Sequence, residues 1–136
     1  VGDTNTATVF SWDISSRDFG ADEDTVDYFV NGQCNALAWE IYKLTGYSLG
    51  LYTDAPVGQP DYGGHAFVYT SDGLILDIRG IQTLDEFKKD WPWLSYVHRF
   101  MTAADYELEM VLWENRIHYT RDRRAKHWAK KIVNML

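Results

Sequence analysis

The chain has 136 residues, 46% of them hydrophobic, with six Trp, nine Tyr, a single Cys and a formal charge of −7 at pH 7. That length supports one domain, 1–136, burying roughly two-thirds of its unfolded surface without staples, and a single cysteine excludes an internal disulfide framework and the multi-cysteine zinc patterns. Residues 1–115 carry 19 acids against 6 bases and residues 116–136 carry 7 bases against 1 acid, so an acidic body of −13 faces a basic tail of +6.

Nucleic-acid binders usually spread positive charge across the domain. The simpler partner for this tail is the acidic body of the same chain or of a neighbour. The apolar runs are broken by charges well short of the eighteen or so residues of a membrane span, so no membrane partner is expected. The start of the chain lacks the basic and apolar regions of a secretory signal, but it opens on Val, and a missing signal proves nothing.

Ala7-Thr8-Val9-Phe10-Ser11-Trp12 is rich in β-branched and aromatic residues and predicts a strand. Residues 13–24 read as a polar loop, with Asp22-Glu23-Asp24 solvated and lacking the glycine and terminal Glu of an EF-hand. Asp24 or Thr25 would cap a short helix to about Val30, stopped at Asn31-Gly32, where Gly can take a left-handed conformation. From Cys34 to Thr45 the apolar residues Cys34, Leu37, Ile41 and Leu44 recur at helical spacing, and Gly46 ends the run.

Ser48–Thr53 predicts a strand, and residues 54–63, with Pro56, Gly58 and Pro60, a loop long enough to rim a site. His65–Thr70 and Leu74–Ile78 form a hairpin around Ser71-Asp72-Gly73. A three-residue turn sets Thr70 against Leu74 and Phe67 against Asp77, which puts His65 on the same face as Asp77. A two-residue turn would send the two to opposite faces.

Thr83-Leu84-Asp85-Glu86 has the form of a capping box opening a helix to about Asp90. Ser95–Met101 reads as a strand. Residues 103–115 read as a helix with two apolar stripes, Leu108/Val111/Leu112 and Tyr106/Met110/Trp113, which suggests burial from two sides. The last segment spaces Ala125, Trp128, Ala129, Ile132, Val133 and Leu136 along one helical face with its bases on the other, in water or on the acidic body. Residues 103–136 thus form a C-terminal helical segment.

Cys34 heads its helix, where unpaired N–H groups and the positive end of the dipole favour a thiolate. With His65 as base and acid and Asp77 holding His65, the chain has the ordered parts of nucleophilic cysteine catalysis. The backbone N–H of Cys34 is one oxyanion donor, with Gln33 and Asn31 as side-chain candidates. Taken singly, Cys34 reads as a small buried apolar residue, His65 as structural and Asp77 as a turn or a partner of Arg79. The order Cys, His, Asp across a helix and two paired strands favours a site. His98, His118 and His127 are scattered and lack metal-ligand spacing, and no metal or other cofactor is implied. Tyr52, Tyr62, Trp91, Pro56 and Pro60 are candidates for lining a cleft or for the core.

Gly32-Gln33-Cys34-Asn35-Ala36-Leu37-Ala38, Gly64-His65-Ala66-Phe67-Val68, Asp72-Gly73 and Leu76-Asp77-Ile78-Arg79-Gly80 resemble the compact bacterial and phage forms of the papain-like cysteine hydrolase superfamily. The resemblance covers about residues 31–91. It implies an α+β fold with the Cys-bearing helix packed on a small antiparallel sheet, a Cys34–His65–Asp77 triad and a protein or peptide substrate. It also implies a location in the cytoplasm or export as an effector or virion component. It departs from papain in placing Gln33 next to the cysteine and an Asp at the third position. The superfamily includes peptidases, amidases, transferases and glutamine deamidases, so the same residues fit a hydrolase, an effector that modifies a protein glutamine, or an acidic binding or inhibitory module that has kept the fold without the activity.

Overall fold

In the computed structural model the described residues are 19–56, 64–112 and 119–136. The strand expected over Ala7–Trp12, the first half of the 13–24 loop and residues 57–63 of the 54–63 loop lie outside them. The described residues form a mixed α+β structure of five α-helices and one five-stranded antiparallel sheet.

Helix α1 spans Glu23–Val30 and is capped by Asp22, whose side chain accepts the N–H of Thr25 at 2.8 Å. The cap is therefore two residues earlier than Asp24 and three earlier than Thr25, and Glu23 and Asp24 belong to the helix rather than to a loop. Glu23 and Asp24 sit in the first turn, where negative charge faces the positive end of the helix dipole. The left-handed stop expected at Gly32 is also absent: α1 ends on Asn31 at φ −107°, and positive φ occurs at Gly20, Gly46, Gly73 and Gly80. A bond from the Gln33 N–H to the Tyr28 carbonyl (3.1 Å) turns the chain directly into the next helix.

Helix α2 spans Cys34–Thr45 as the spacing predicts, and Gly46 at φ 73° closes it by donating to the Tyr42 carbonyl. The strands are β1 (Ser48–Thr53), β2 (Gly64–Tyr69), β3 (Ile75–Asp77), β4 (Gly80–Gln82) and β5 (Tyr96–Arg99). Their order across the sheet is β4-β3-β2-β1-β5, a meander whose last strand returns to pair with β1. Gly50 of β1 lies opposite Phe67 of β2, and a Cβ there would sit 2.5 Å from the Phe67 ring and 2.9 Å from that of Tyr69. Only hydrogen fits beneath those rings.

Helix α3 (Leu84–Lys88) opens with both bonds of the capping box between Thr83 and Glu86. It delivers Phe87, fully buried, onto the rings of Tyr52, His65 and Phe67. Helix α4 (Ala103–Leu112) is buried along one side, not two: Tyr106 and Met110 are inside, while Leu108 and Val111 are each 69% exposed. Trp113 lies outside the described residues. The buried side docks on the first turn of α2, with the Tyr106 hydroxyl donating to the Asn35 carbonyl at 2.9 Å.

Helix α5 (Arg123–Asn134) packs on α2 through Ala125, Ala129 and Ile132. Its stripe fades at the end, where Leu136 is exposed. Arg124 stacks on the Tyr28 ring at 3.9 Å and Lys131 on Trp128 at 4.3 Å. Among the described residues the bases of α5 make no ion pair with the acidic body. No helix there is long and apolar enough to cross a membrane.

Candidate active site

The hairpin fixes the site. Thr70 donates to the Leu74 carbonyl at 2.8 Å and Gly73, at φ 79°, donates to the Thr70 carbonyl at 2.9 Å, the bonding of a three-residue turn. Val68 then faces Leu76, and the register carries Phe67 opposite Asp77. His65 lies two residues along on the same face, and its Nε2 meets Asp77 Oδ2 at 2.8 Å.

The end of the ladder places the thiol. Alternate residues of β2, from Thr70 through Val68 to Ala66, direct their backbone groups toward β3. A longer β3 would offer Ala66 the carbonyl of Ile78. The chain turns away instead, with the Arg79 N–H bonding back to Asp77 Oδ1 at 2.9 Å. The Ala66 N–H is thus left to donate to Cys34 Sγ at 3.3 Å. Cys34 is the first residue of α2, where helical geometry provides the N–H groups with no acceptor inside the helix.

All three side chains are buried: Cys34 is 5% exposed, Asp77 4% and His65 not at all. The Nε2 of His65 is taken by Asp77. Its Nδ1, buried without a hydrogen-bond partner, is the nitrogen left for the thiol. Burial would depress the pKa of His65, but the negative charge of the Cys34 thiolate and the bond to Asp77 outweigh it and raise it to about 9. Burial likewise pushes Asp77 up, while the Arg79 guanidinium and the bond from His65 hold its carboxyl well below the usual carboxylate range. A coupling that favours the imidazolium favours the thiolate equally.

Around this core lie groups that sequence spacing did not bring together. Arg79, noted from sequence only as a candidate partner of Asp77, is 1% exposed and bonds Asp77 Oδ2 through Nε at 3.2 Å. It reaches Gln82 Oε1 at 2.9 Å and forms an ion pair with Asp90. The Trp91 indole stacks on the His65 ring at 4.6 Å and 18°, and the Arg79 guanidinium lies 4.7 Å from the Trp91 ring centre. Asp90 and Trp91 follow α3, so the capped helix aims both at the site. The available signal was the adjacent pair Asp90 and Trp91 at the expected end of this helix, which stops at Lys88, with no periodicity to mark it.

The two oxyanion candidates part company. Asn31 is exposed and its amide donates to Asp27 Oδ1 at 2.6 Å. Gln33 is half-buried at the N-cap of α2 and its side chain makes no capping bond. Tyr52 belongs to the core, its hydroxyl spent on the Leu94 carbonyl at 2.8 Å, and Trp91 is buried over His65. Tyr62 and Pro60 lie outside the described residues. His98 bonds Thr53 Oγ1 at 3.3 Å, His127 packs against Trp128 on α5, and His118 falls outside. Among the described residues no three His, Cys, Asp or Glu side chains cluster to hold a metal ion. Compared with known proteins, the chain matches no family model, no curated protein and no solved structure.

Proposed function

We propose that the protein is a papain-like cysteine hydrolase acting on an amide, thioester or isopeptide carbonyl of a protein or peptide. One observation carries this reading: a buried imidazole has one nitrogen fixed by a carboxylate, its other nitrogen unpartnered, and its charge coupled to a thiol at the head of a helix. A helix headed by the cysteine and an antiparallel sheet carrying the His and Asp on neighbouring strands support the architecture.

In this reading Cys34 is a thiolate with its proton already on His65. Sulfur attacks the carbonyl carbon, and the N–H groups at the start of α2, with Gln33 as the remaining side-chain candidate, receive the oxyanion. As the tetrahedral intermediate collapses, the carbon–nitrogen bond breaks and His65 gives its proton to the leaving amine. Water then loses a proton to His65 and attacks the thioester; the carbon–sulfur bond breaks, and the acid product leaves a thiolate and an imidazolium. A protein glutamine entering this cycle would lose ammonia and become glutamate.

A second reading has its own observation. The complete burial of His65 suits a structural array inside an acidic binding module as well as it suits a nucleophile's partner. Alkylation of Cys34 by iodoacetamide between pH 4 and 10, in the parent and in His65→Ala, separates the two. The hydrolase reading expects reaction well below the ordinary thiol pKa of about 8.5, with a loss of at least about tenfold near pH 6 when His65 is removed. An inert thiol, or one titrating as a free cysteine in both proteins, overturns it in favour of the module.

A further inference from the structure

Arg79 is the largest fully buried side chain among the described residues. A guanidinium taken out of water persists only where its donors are matched. Here the backbone N–H of Arg79 holds Asp77 Oδ1 at 2.9 Å and its Nε holds Oδ2 at 3.2 Å, so one residue grips both oxygens. Asp90 and Gln82 receive the two terminal nitrogens. His65 Nε2 uses the same Oδ2 at 2.8 Å, which keeps the two cationic nitrogens within 6.0 Å of each other.

Like charges this close make each other more acidic. A carboxylate beside an imidazolium makes it hold its proton more tightly, while a general acid is most effective with a pKa near the operating pH. We propose that Arg79 is a positioning residue for the Cys34–His65 pair: its fork sets the Asp77 carboxylate that orients the imidazole, and its charge keeps the imidazolium acidic enough to release its proton. Asp90 tempers that charge from the outer side. The inference rests on reading Cys34 as the nucleophile. The charged or titratable groups around the ring are Cys34 from α2, Asp77 from β3, Arg79 from the following turn and, beyond Arg79, Asp90 after α3; Phe87 and Trp91 are the neutral faces.

The test is an NMR titration of the His65 ring in the full chain, comparing the parent with Arg79→Met, Arg79→Lys and Asp90→Asn. Arg79→Met raises the His65 midpoint by about 0.5 to 2 pH units, the Coulomb repulsion of two unit charges 6 Å apart at effective dielectrics between about 80 and 20. Asp90→Asn moves the midpoint the opposite way, downward and by less, because the guanidinium is then less neutralised. Arg79→Lys restores the charge without the fork and returns the midpoint toward the parent's.

Opposite movement in Arg79→Met and Asp90→Asn is the result expected, and a purely structural role would not produce it. If Arg79→Met does not fold, the fall in Asp90→Asn carries the test. An unchanged or raised midpoint in Asp90→Asn, or an unchanged or lowered one in Arg79→Met, overturns the proposal. Iodoacetamide applied to the same parent sample keeps the two readings apart. A reactive Cys34 beside an unmoved His65 sinks the role of Arg79 alone. An inert Cys34 sinks the nucleophile, and with it any catalytic meaning of the shifts.

Discussion

Replacing Asp77 by Ala should be among the most damaging single changes in the described structure. The carboxylate accepts three bonds inside the protein, from His65 Nε2, Arg79 Nε and the Arg79 N–H. Alanine strips all three and leaves an imidazole and a guanidinium facing each other in a site that is at most 4% exposed. Breaking one partner of a buried charge pair costs about 3–5 kcal/mol. With an unfolding entropy of about 2.1 cal/mol/K per residue, a 136-residue chain loses about 10 to 17 °C of Tm. Asp77→Asn keeps one acceptor oxygen and should cost about half as much.

The sign with pH follows from the depressed carboxyl of the folded state. The unfolded chain takes up this proton near pH 3.9 while the folded chain still resists it. Asp77 therefore contributes in full above about pH 4 and loses its contribution as the pH falls toward the folded value. Urea denaturation of the parent and of Asp77→Ala from pH 7 down to pH 2.5 measures the gap between them, which should be widest at pH 5 to 7 and shrink progressively as the pH falls below about 4. A gap under about 1 kcal/mol at pH 7, or one that stays constant to pH 2.5, would refute the buried ionic array.

Two further outcomes follow from the packing around the same site. Gly50→Ala places a methyl group against the Phe67 and Tyr69 rings and should destabilise by about 1–3 kcal/mol, as overpacking does; a urea midpoint equal to or above the parent's would show that the rings yield freely. Protonated imidazole quenches an indole stacked on it, so the Trp91 contribution to emission, taken as parent minus Trp91→Phe, should rise as His65 loses its proton through pH about 9. A flat difference signal between pH 7 and 10, or one that survives His65→Ala, would place the indole elsewhere.

The part of the site that lies along a regular strand was legible from sequence, because alternation and turn length decide it. Gly73 occupies the left-handed position of a three-residue turn, and from that one residue the register and the meeting of His65 with Asp77 follow. The same holds for α2, whose head is set by Cys34 and whose end is set by Gly46. The illegible part depends on how elements pack. Nothing in the spacing of Leu108 and Val111 distinguishes them from Tyr106 and Met110; only the docking of α4 on α2 buries one pair and exposes the other. Asp22 outranked Asp24 as the cap because helix starts shift by a residue or two among neighbouring acids, each able to accept an N–H.

The placement of Asp90 and Trp91 shows why a candidate site read from sequence is incomplete even where its named residues do meet in the structure. Cys34, His65 and Asp77 come from a helix and a hairpin whose geometry is local. Their charges are not local. Cys34, His65, Asp77, Arg79 and Asp90 follow one another through the interior, with the Asp77 carboxylate between the imidazole and the guanidinium and the Asp90 carboxylate beyond it, and a buried ion is tolerable only beside an opposite charge. The last member, Asp90, is 15% exposed at its side chain and is the point at which the array meets solvent on the α3 side. Cys34 is the other end. In the role proposed for Arg79, a change at Asp90 reaches the imidazole through the guanidinium and the Asp77 carboxylate, so a residue distant from Cys34 in the sequence sets the proton affinity of His65.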